Sequence, residues 1–333
     1  MTSPQKRSLT GIRPSGDVHI GNYLGMIKPA LSYQHECECY YFIADLHALT
    51  TTKDAAALAG QTLDLVATWL ALGLDVKRNL LYRQSDLPMV CELAWYLSCC
   101  TGVGFLEKAH AYKDARGSNR EVNHGFLAYP VLMAADILMF DVDYVPVGKD
   151  QKQHVEMARD MAGFFNTTYG AEYLKLPQPM IREEVMTIPG LDGRKMSKSY
   201  DNVIPLFAAE KALRKRIMSI KTDSTPLEAP KSLSDTLLGT LFSYFASPEE
   251  RADLERRLNA GGLGWGHAKD ELFQVINRAI DEPRRRFNEL RGDERGLRRV
   301  LAESAERAYE VARPVMLRVR EAVGVGVENR WAK

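Results

Sequence analysis

Long apolar runs are missing from this 333-residue chain; none approaches the roughly 18 residues needed to cross a membrane as a helix. Cysteine is scarce. The five present, Cys37, Cys39, Cys91, Cys99 and Cys100, are odd in number and form no C-x-x-C pair. That argues against a disulfide framework and fits reduced thiols in a cytosol. Cys37 with Cys39, or Cys99 with Cys100, would be metal-ligand candidates, but inert cysteine is the commoner outcome, so no metal site is expected. The opening Met-Thr-Ser-Pro-Gln-Lys predicts a short disordered start rather than a targeting segment, and a cytoplasmic location. An excess of charge is also lacking: 44 Lys and Arg against 43 Asp and Glu leave a net charge of +1. A bulk electrostatic footprint for nucleic acid is therefore excluded, and any RNA surface must be a local patch. There is no internal repeat, no low-complexity segment, no G-x-G-x-x-G run and no Walker loop.

What is present is a soluble composition, 45% hydrophobic and 26% charged, long enough for two domains. Up to about residue 150, strand-like and helical segments alternate. Arg7–Arg13, Asn79–Arg83 and Asp143–Val147 read as strands, and Tyr40–Ala44 is a short, nearly all-apolar run of the kind covered on both faces. Helical spacing follows from Val18, from Leu58 to Leu72 with a stop at Gly73, over Leu87–Thr101, and from Pro130 placed at a first helical position. Residues 108–123 read as a loop or frayed helix, and Gln151–Phe165 as a helix with Asp150 a candidate cap. The pattern predicts an α/β fold with a doubly wound, Rossmann-like parallel sheet. From about 201 the texture is helix only, over Leu206–Ile220, Pro248–Asn259, Ala268–Leu290 and Glu294–Val323, with Pro314 expected to kink or divide the last. Residues 1–200 are thus expected to form a catalytic domain and 201–333 an all-helical one. Arg284, Arg285, Arg286, Arg295, Arg298 and Arg299 are either solvated faces paired with nearby Glu or phosphate contacts for RNA.

Two stretches carry chemistry. In residues 11–25 a strand feeds the turn Pro14-Ser15-Gly16 and then a helix, a layout that aims backbone N–H groups at an anion. His19 and Asn22 are short donors there, and Gly21 leaves no side chain between backbone and ligand. An ordinary strand-to-helix turn is the plain alternative. In Lys195-Met196-Ser197-Lys198-Ser199, two lysines and two serines follow a loop rich in breakers, a movable cation cluster suited to departing phosphates. A solvated basic loop is its plain alternative.

Taken together, His19-Ile20-Gly21-Asn22 and Lys195–Ser199 resemble the two signature sequences of class I aminoacyl-tRNA synthetases. Gly11–Gly16, Met133-Ala134-Ala135-Asp136-Ile137-Leu138 and Val145–His154 resemble the bacterial tryptophanyl-tRNA synthetase family, over about residues 9–220. Tyr129, Met133, Asp136 and Phe140 share one helical face, and Asp136 stands among apolar neighbours. Such a carboxylate needs a donor, either an internal Arg or backbone N–H, or a ligand. An indole N–H is donor-only, and phenylalanine would leave the acid unpaired.

The resemblance implies that L-tryptophan is activated with ATP, Mg²⁺ travelling with the nucleotide, and passed to the 3′ end of tRNA(Trp) by a homodimer. It places Asp136 on the indole nitrogen, Tyr129 and Gln151 at the amino end, and His47 and Leu9 in the pocket wall with Met133. It gives the nucleotide Arg13, Pro14, Ser15, Gly21, Asn22, Gly148, Lys149, Asp150, Val185 and Lys195–Ser199, with His19, Asn22, Lys195 and Lys198 at the reacting phosphates. Many relatives carry Gln where this chain has Arg13 and Thr where it has His19. The 108–120 stretch also departs from the family, leaving Lys113 and Arg116 as substitutes for its pyrophosphate lysine. His154 reads as a helix residue rather than a ligand. A tyrosyl-tRNA synthetase, a small-molecule nucleotidyltransferase and a paralogue that binds without charging tRNA remain alternatives.

Overall fold

The computed structural model describes residues 6–117, 122–148, 152–181, 188–234 and 236–326. Among them, five strands form one parallel sheet: β1 (Arg7–Ile12), β2 (Glu38–Ile43), β3 (Leu80–Arg83), β4 (Tyr144–Val147) and β5 (Gln178–Ile181). Their order is β3-β2-β1-β4-β5. Chain direction reverses its progress across the sheet between β1 and β4, where a doubly wound sheet opens its ligand crevice. β1 runs alongside β2 from Arg7 to Ile12 but registers with β4 at Ser8–Tyr144, so the carboxyl ends of β1 and β4 are left to part.

Both faces of the sheet are covered, which is why its strands read as nearly unbroken apolar runs. Along β2 and β3, Tyr40, Phe42, Leu80 and Tyr82 point to one face; Cys39, Tyr41, Ile43 and Leu81 point to the other. The first face packs against α5 (Met89–Cys100), α8 (His124–Leu138) and α9 (Lys152–Tyr169). The second packs against α4 (Ala55–Ala71), whose Leu63, Val66 and Trp69 are buried. Asp54 caps α4 by accepting from the Ala57 N–H at 2.9 Å, and Gly73 at φ +95° lets the chain turn away behind it. Shorter helical pieces lie between: α1 (Ile20–Asn22), a π-helical turn Tyr23–Ile27, α2 (Lys28–Ser32), α3 (Asp45–Ala48), α6 (Val103–Leu106) and α7 (His110–Gly117).

The helices after residue 201 are α10 (Glu210–Met218), α11 (Leu237–Phe245), α12 (Pro248–Asn259), α13 (Trp265–Gly292) and α14 (Glu294–Val323). α10 to α13 build a third core with Ile20 and Met196, the apolar residues of the two signature stretches, and with Leu24, Ile188 and Leu191. α14 then returns to the sheet: Leu297 and Leu301 join the core on the α4 face, and Ala308, Val315 and Met316 the core on the α8 face. No helix among the described residues is long and apolar enough to cross a membrane.

One local expectation is corrected, another is narrowed, and one strand is added. Pro130 is not the first residue of α8. The helix starts at His124, where Asn123 accepts from the Phe126 N–H at 2.9 Å, and Pro130 lies inside it. α14 is not divided at Pro314; the carbonyl that Pro314 leaves without a helical donor is that of Glu310, and both residues face solvent, where water replaces the bond. β5 went unread because Pro177 and Pro179 are breaker signals. At the sheet edge a proline removes a donor that no strand needs, so β5 tolerates it.

Candidate active site

β1 ends by delivering Arg13, Pro14 and Ser15 to the crevice, and Gly16 turns the chain at φ +84°, a conformation side chains resist. His19 then caps α1. Its Nδ1 accepts from the Asn22 N–H while Asn22 Oδ1 accepts from the His19 N–H, both at 3.2 Å. With Nδ1 accepting, the ring proton sits on Nε2, which is a donor. Burial, helped by the Lys198 charge, holds His19 down to a pKa of about 4, so the ring is neutral at pH 7.

Residues 188–202 form a flap. A short antiparallel bridge, Pro189 opposite Lys195, is closed through Asp192 and Gly193, with Met196 N–H donating to the Ile188 carbonyl at 2.9 Å. Asn202, 2% exposed, organises it from within. Its Nδ2 donates to Asp192 Oδ1 (2.8 Å) and the Lys195 carbonyl (3.1 Å), and its Oδ1 accepts from the Ser197 N–H (2.8 Å). Gly190 is required here, because a Cβ would come within 2.4 Å of the Asn202 side chain.

Turn and flap meet. Lys198 Nζ donates to the Ser15 carbonyl at 2.5 Å, and the Gly21 N–H donates to Met196 Sδ at 3.2 Å. Met196 is buried in the third core, so the flap is anchored by its apolar residue while Lys195 and Ser199 stay exposed. Burial lowers the Lys198 pKa, with the Asp17 charge opposing it.

On the α8 face of the sheet a carboxylate is buried among aromatic and apolar side chains. Asp136, 2% exposed on α8, accepts from Gln84 Nε2 at 2.9 Å on each oxygen and bonds His47 Nε2 at 3.0 Å through Oδ2. Neither an arginine nor a backbone N–H partners it among the described contacts. Desolvation raises the Asp136 pKa, and the bonds from His47 and Gln84 work against that rise. Tyr129 stands edge-on to His47, ring centres 6.2 Å apart, and its hydroxyl bonds His154 Nε2 at 2.8 Å. Leu9 is buried in the same core, with Met133 packed against it. Burial raises the Tyr129 pKa, and the Arg13 charge opposes that rise.

A family model described as tRNA synthetases class I (W and Y) matches residues 2–280. The chain belongs to this family. Within it, the chain is 45% identical to a tryptophan–tRNA ligase of Fusobacterium nucleatum subsp. nucleatum, over 96% of this chain and 98% of that one. The structure of Campylobacter jejuni tryptophanyl-tRNA synthetase complexed with ADP and tryptophan superposes with a TM-score of 0.92 at 43% identity, covering 96% of this chain and all of that one. A tyrosyl-tRNA synthetase of Archaeoglobus fulgidus shares the fold at a TM-score of 0.62 and 19% identity, over 86% of this chain and 91% of that one.

Of the residues singled out in this class I chain, Arg13, Pro14, Ser15, His19, Gly21 and Asn22 form the turn, and Lys195–Ser199 the flap. Leu9 and Met133 belong to the core on the α8 face, His47 bonds Asp136 and stands against Tyr129, and Gly148 directly follows β4. Lys149, Asp150, Gln151 and Val185 lie outside the described residues. Lys113 and Arg116 are exposed on α7, which Gln153 ties to α9 by accepting from the His110 N–H at 3.0 Å. Gln84 and the Tyr129–His154 bond were missed. A lone glutamine at a strand end carries no spacing signal, and His154 shows only helical context. The arginines of α13 and α14 mostly find carboxylates: Arg285 with Asp281, Arg291 with Asp64, Arg298 with Glu294.

Proposed function

We propose that the chain is a tryptophan–tRNA ligase working through the site just described. The observation that carries the reading is a buried acceptor, Asp136, in an aromatic pocket next to a glycine turn covered by a two-lysine flap. Two relatives named for tryptophan, at 43–45% identity over nearly full length, support tryptophan over tyrosine. The tryptophan carboxylate attacks the α-phosphorus of ATP in line. The new P–O bond forms as the bond to the bridging oxygen breaks, and pyrophosphate leaves with that electron pair. No proton must move, so the protein supplies position and charge.

Leu9, His47 and Met133 wall the indole, whose N–H donates to Asp136, and Tyr129 and Gln151 hold the amino end. His19 Nε2–H and the Asn22 amide donate to α-phosphate oxygens, with Arg13, Pro14, Ser15, Gly21, Gly148, Lys149, Asp150 and Val185 framing the nucleotide. Lys195 and Lys198, with Ser197 and Ser199, follow the departing pyrophosphate, Lys198 exchanging the Ser15 carbonyl for a phosphate oxygen. The donors facing the phosphates are N–H and ammonium groups rather than carboxylates. No protein carboxylate is assigned to Mg²⁺, which would come with the nucleotide and would supply neutralisation of phosphate charge. In the second step a ribose hydroxyl at the tRNA 3′ end attacks the acyl carbon and AMP leaves.

Residues 1–200 carry this chemistry and 201–333 face tRNA(Trp) in the cytoplasm. Trp95 and Val103, 68% and 62% exposed on α5 and α6, are the apolar face on which a homodimer would close. Charging of tRNA(Trp) with labelled tryptophan, and not with labelled tyrosine, is the expected result. Equal charging with both, or charging with neither, would overturn the reading.

A further inference from the structure

Gln84 lies where β3 passes into the 3₁₀ turn Gln84–Asp86 and is 1% exposed. Its amide is used at both ends. Nε2 donates to both Asp136 oxygens at 2.9 Å, and Oε1 accepts from the His47 backbone N–H at 3.3 Å. This network fixes which way the amide faces, since the flipped form would set acceptor against carboxylate and donor against N–H. One uncharged side chain thus ties β3, α3 and α8 around a buried acid.

A carboxylate has about four acceptor positions. Among the described residues, Gln84 occupies one on each oxygen and His47 a second on Oδ2, leaving one on Oδ1. We infer that Gln84 is a positioning residue for amino-acid selection, holding Asp136 ionised and turned so that Oδ1 keeps a lone pair for the indole N–H. This rests on the tryptophan reading above. An arginine at 84 would occupy both oxygens in a fork, and an apolar residue would leave the acid to neutralise itself. The other groups that act on Asp136 are His47 from α3, Asp45 at the head of α3, Tyr82 from β3 and Cys91 from α5. His47 alone among them bonds the carboxylate.

The test is ATP–pyrophosphate exchange with tryptophan and with its benzothienyl analogue, in which sulfur replaces the N–H, for wild type and Gln84→Leu. Gln84→Leu should raise KM for tryptophan about tenfold or more, the effect expected of lost bonds to a charged group. KM for ATP and kcat should stay within about twofold. KM for the analogue should not move, so the preference for tryptophan collapses. Because Gln84 opposes the rise that desolvation gives the Asp136 pKa, the tryptophan KM of the variant should also climb more steeply than that of wild type as pH is lowered. If Gln84→Leu does not fold, Gln84→Asn, an amide one methylene short, should show a smaller loss of the same kind. Equal losses for tryptophan and analogue, or a fall in kcat at constant tryptophan KM, would overturn the inference. Absence of tryptophan-dependent exchange in wild type would instead overturn the proposed function itself.

Discussion

Lys195 and Ser199 stand exposed on a flap that meets the glycine turn through one carbonyl and one sulfur, whereas Asp136, His47 and Gln84 are buried, with Asp136 bonded to both of the others. The contrast follows from what each side must hold. A triphosphate brings its own charge and leaves in pieces, so mobile cations in water suit it. An indole brings one N–H on an apolar body, so the protein must fix a single acceptor in a dry place and stop it from being neutralised. The first region stakes little folding stability on its function. The second buries a charge and depends on geometry.

Breaking the exposed side should have the largest effect on rate. Lys195→Ala should lower kcat for pyrophosphate exchange by about 10²–10³, the range for losing one preorganised charge donor, with tryptophan KM within about twofold. A change mainly in tryptophan KM would merge the two regions that the comparison separates. Breaking the sealed side should give the mirror image. Asp136→Asn should raise tryptophan KM by about 10- to 100-fold, as loss of a charged acceptor predicts, and leave ATP KM alone.

These expectations also show what the sequence exposes. The turn and flap were readable because their chemistry lies in contiguous residues, and strands β1 to β4 because burial on both faces makes apolar runs. Asp136 was readable as an acid among Ala135, Ile137 and Leu138. Its partners were not equally so. Gln84 is 52 positions away, and it meets Asp136 through the pairing of β3 with β2 and the packing of α8 on that face of the sheet. No local pattern encodes that pairing. Pairing of the α13 and α14 arginines with acids was foreseen as one alternative, yet the partner of Arg291 is Asp64, which only packing of α14 and α13 on α4 reveals.

Two finer changes sharpen the contrast. Asn202→Ala removes three side-chain hydrogen bonds inside the flap, so kcat should fall about tenfold while the melting temperature changes little. A large drop in melting temperature would mean that the flap belongs to the cooperative core. The smallest effect on activity should come from His19→Thr, which keeps a capping oxygen and removes a titrating ring. His19 has its pKa lowered from 6.5 to about 4, so the unfolded chain binds the extra proton first. The stability from burying the neutral ring is complete above 6.5 and is lost as pH falls towards 4. The urea midpoint of His19→Thr should therefore fall less steeply than that of wild type across this window. Parallel slopes would show that the ring is not held neutral.

ATP–pyrophosphate exchange, with each standard amino acid supplied singly, bears most directly on the idea that one turn, one flap and one sealed acid make a single activating site. Exchange with tryptophan alone, slowed by about 10²–10³ in Lys195→Ala while that variant still binds tryptophan, is the predicted result. Exchange that runs as fast with tyrosine, or that is undiminished by loss of Lys195, would contradict it.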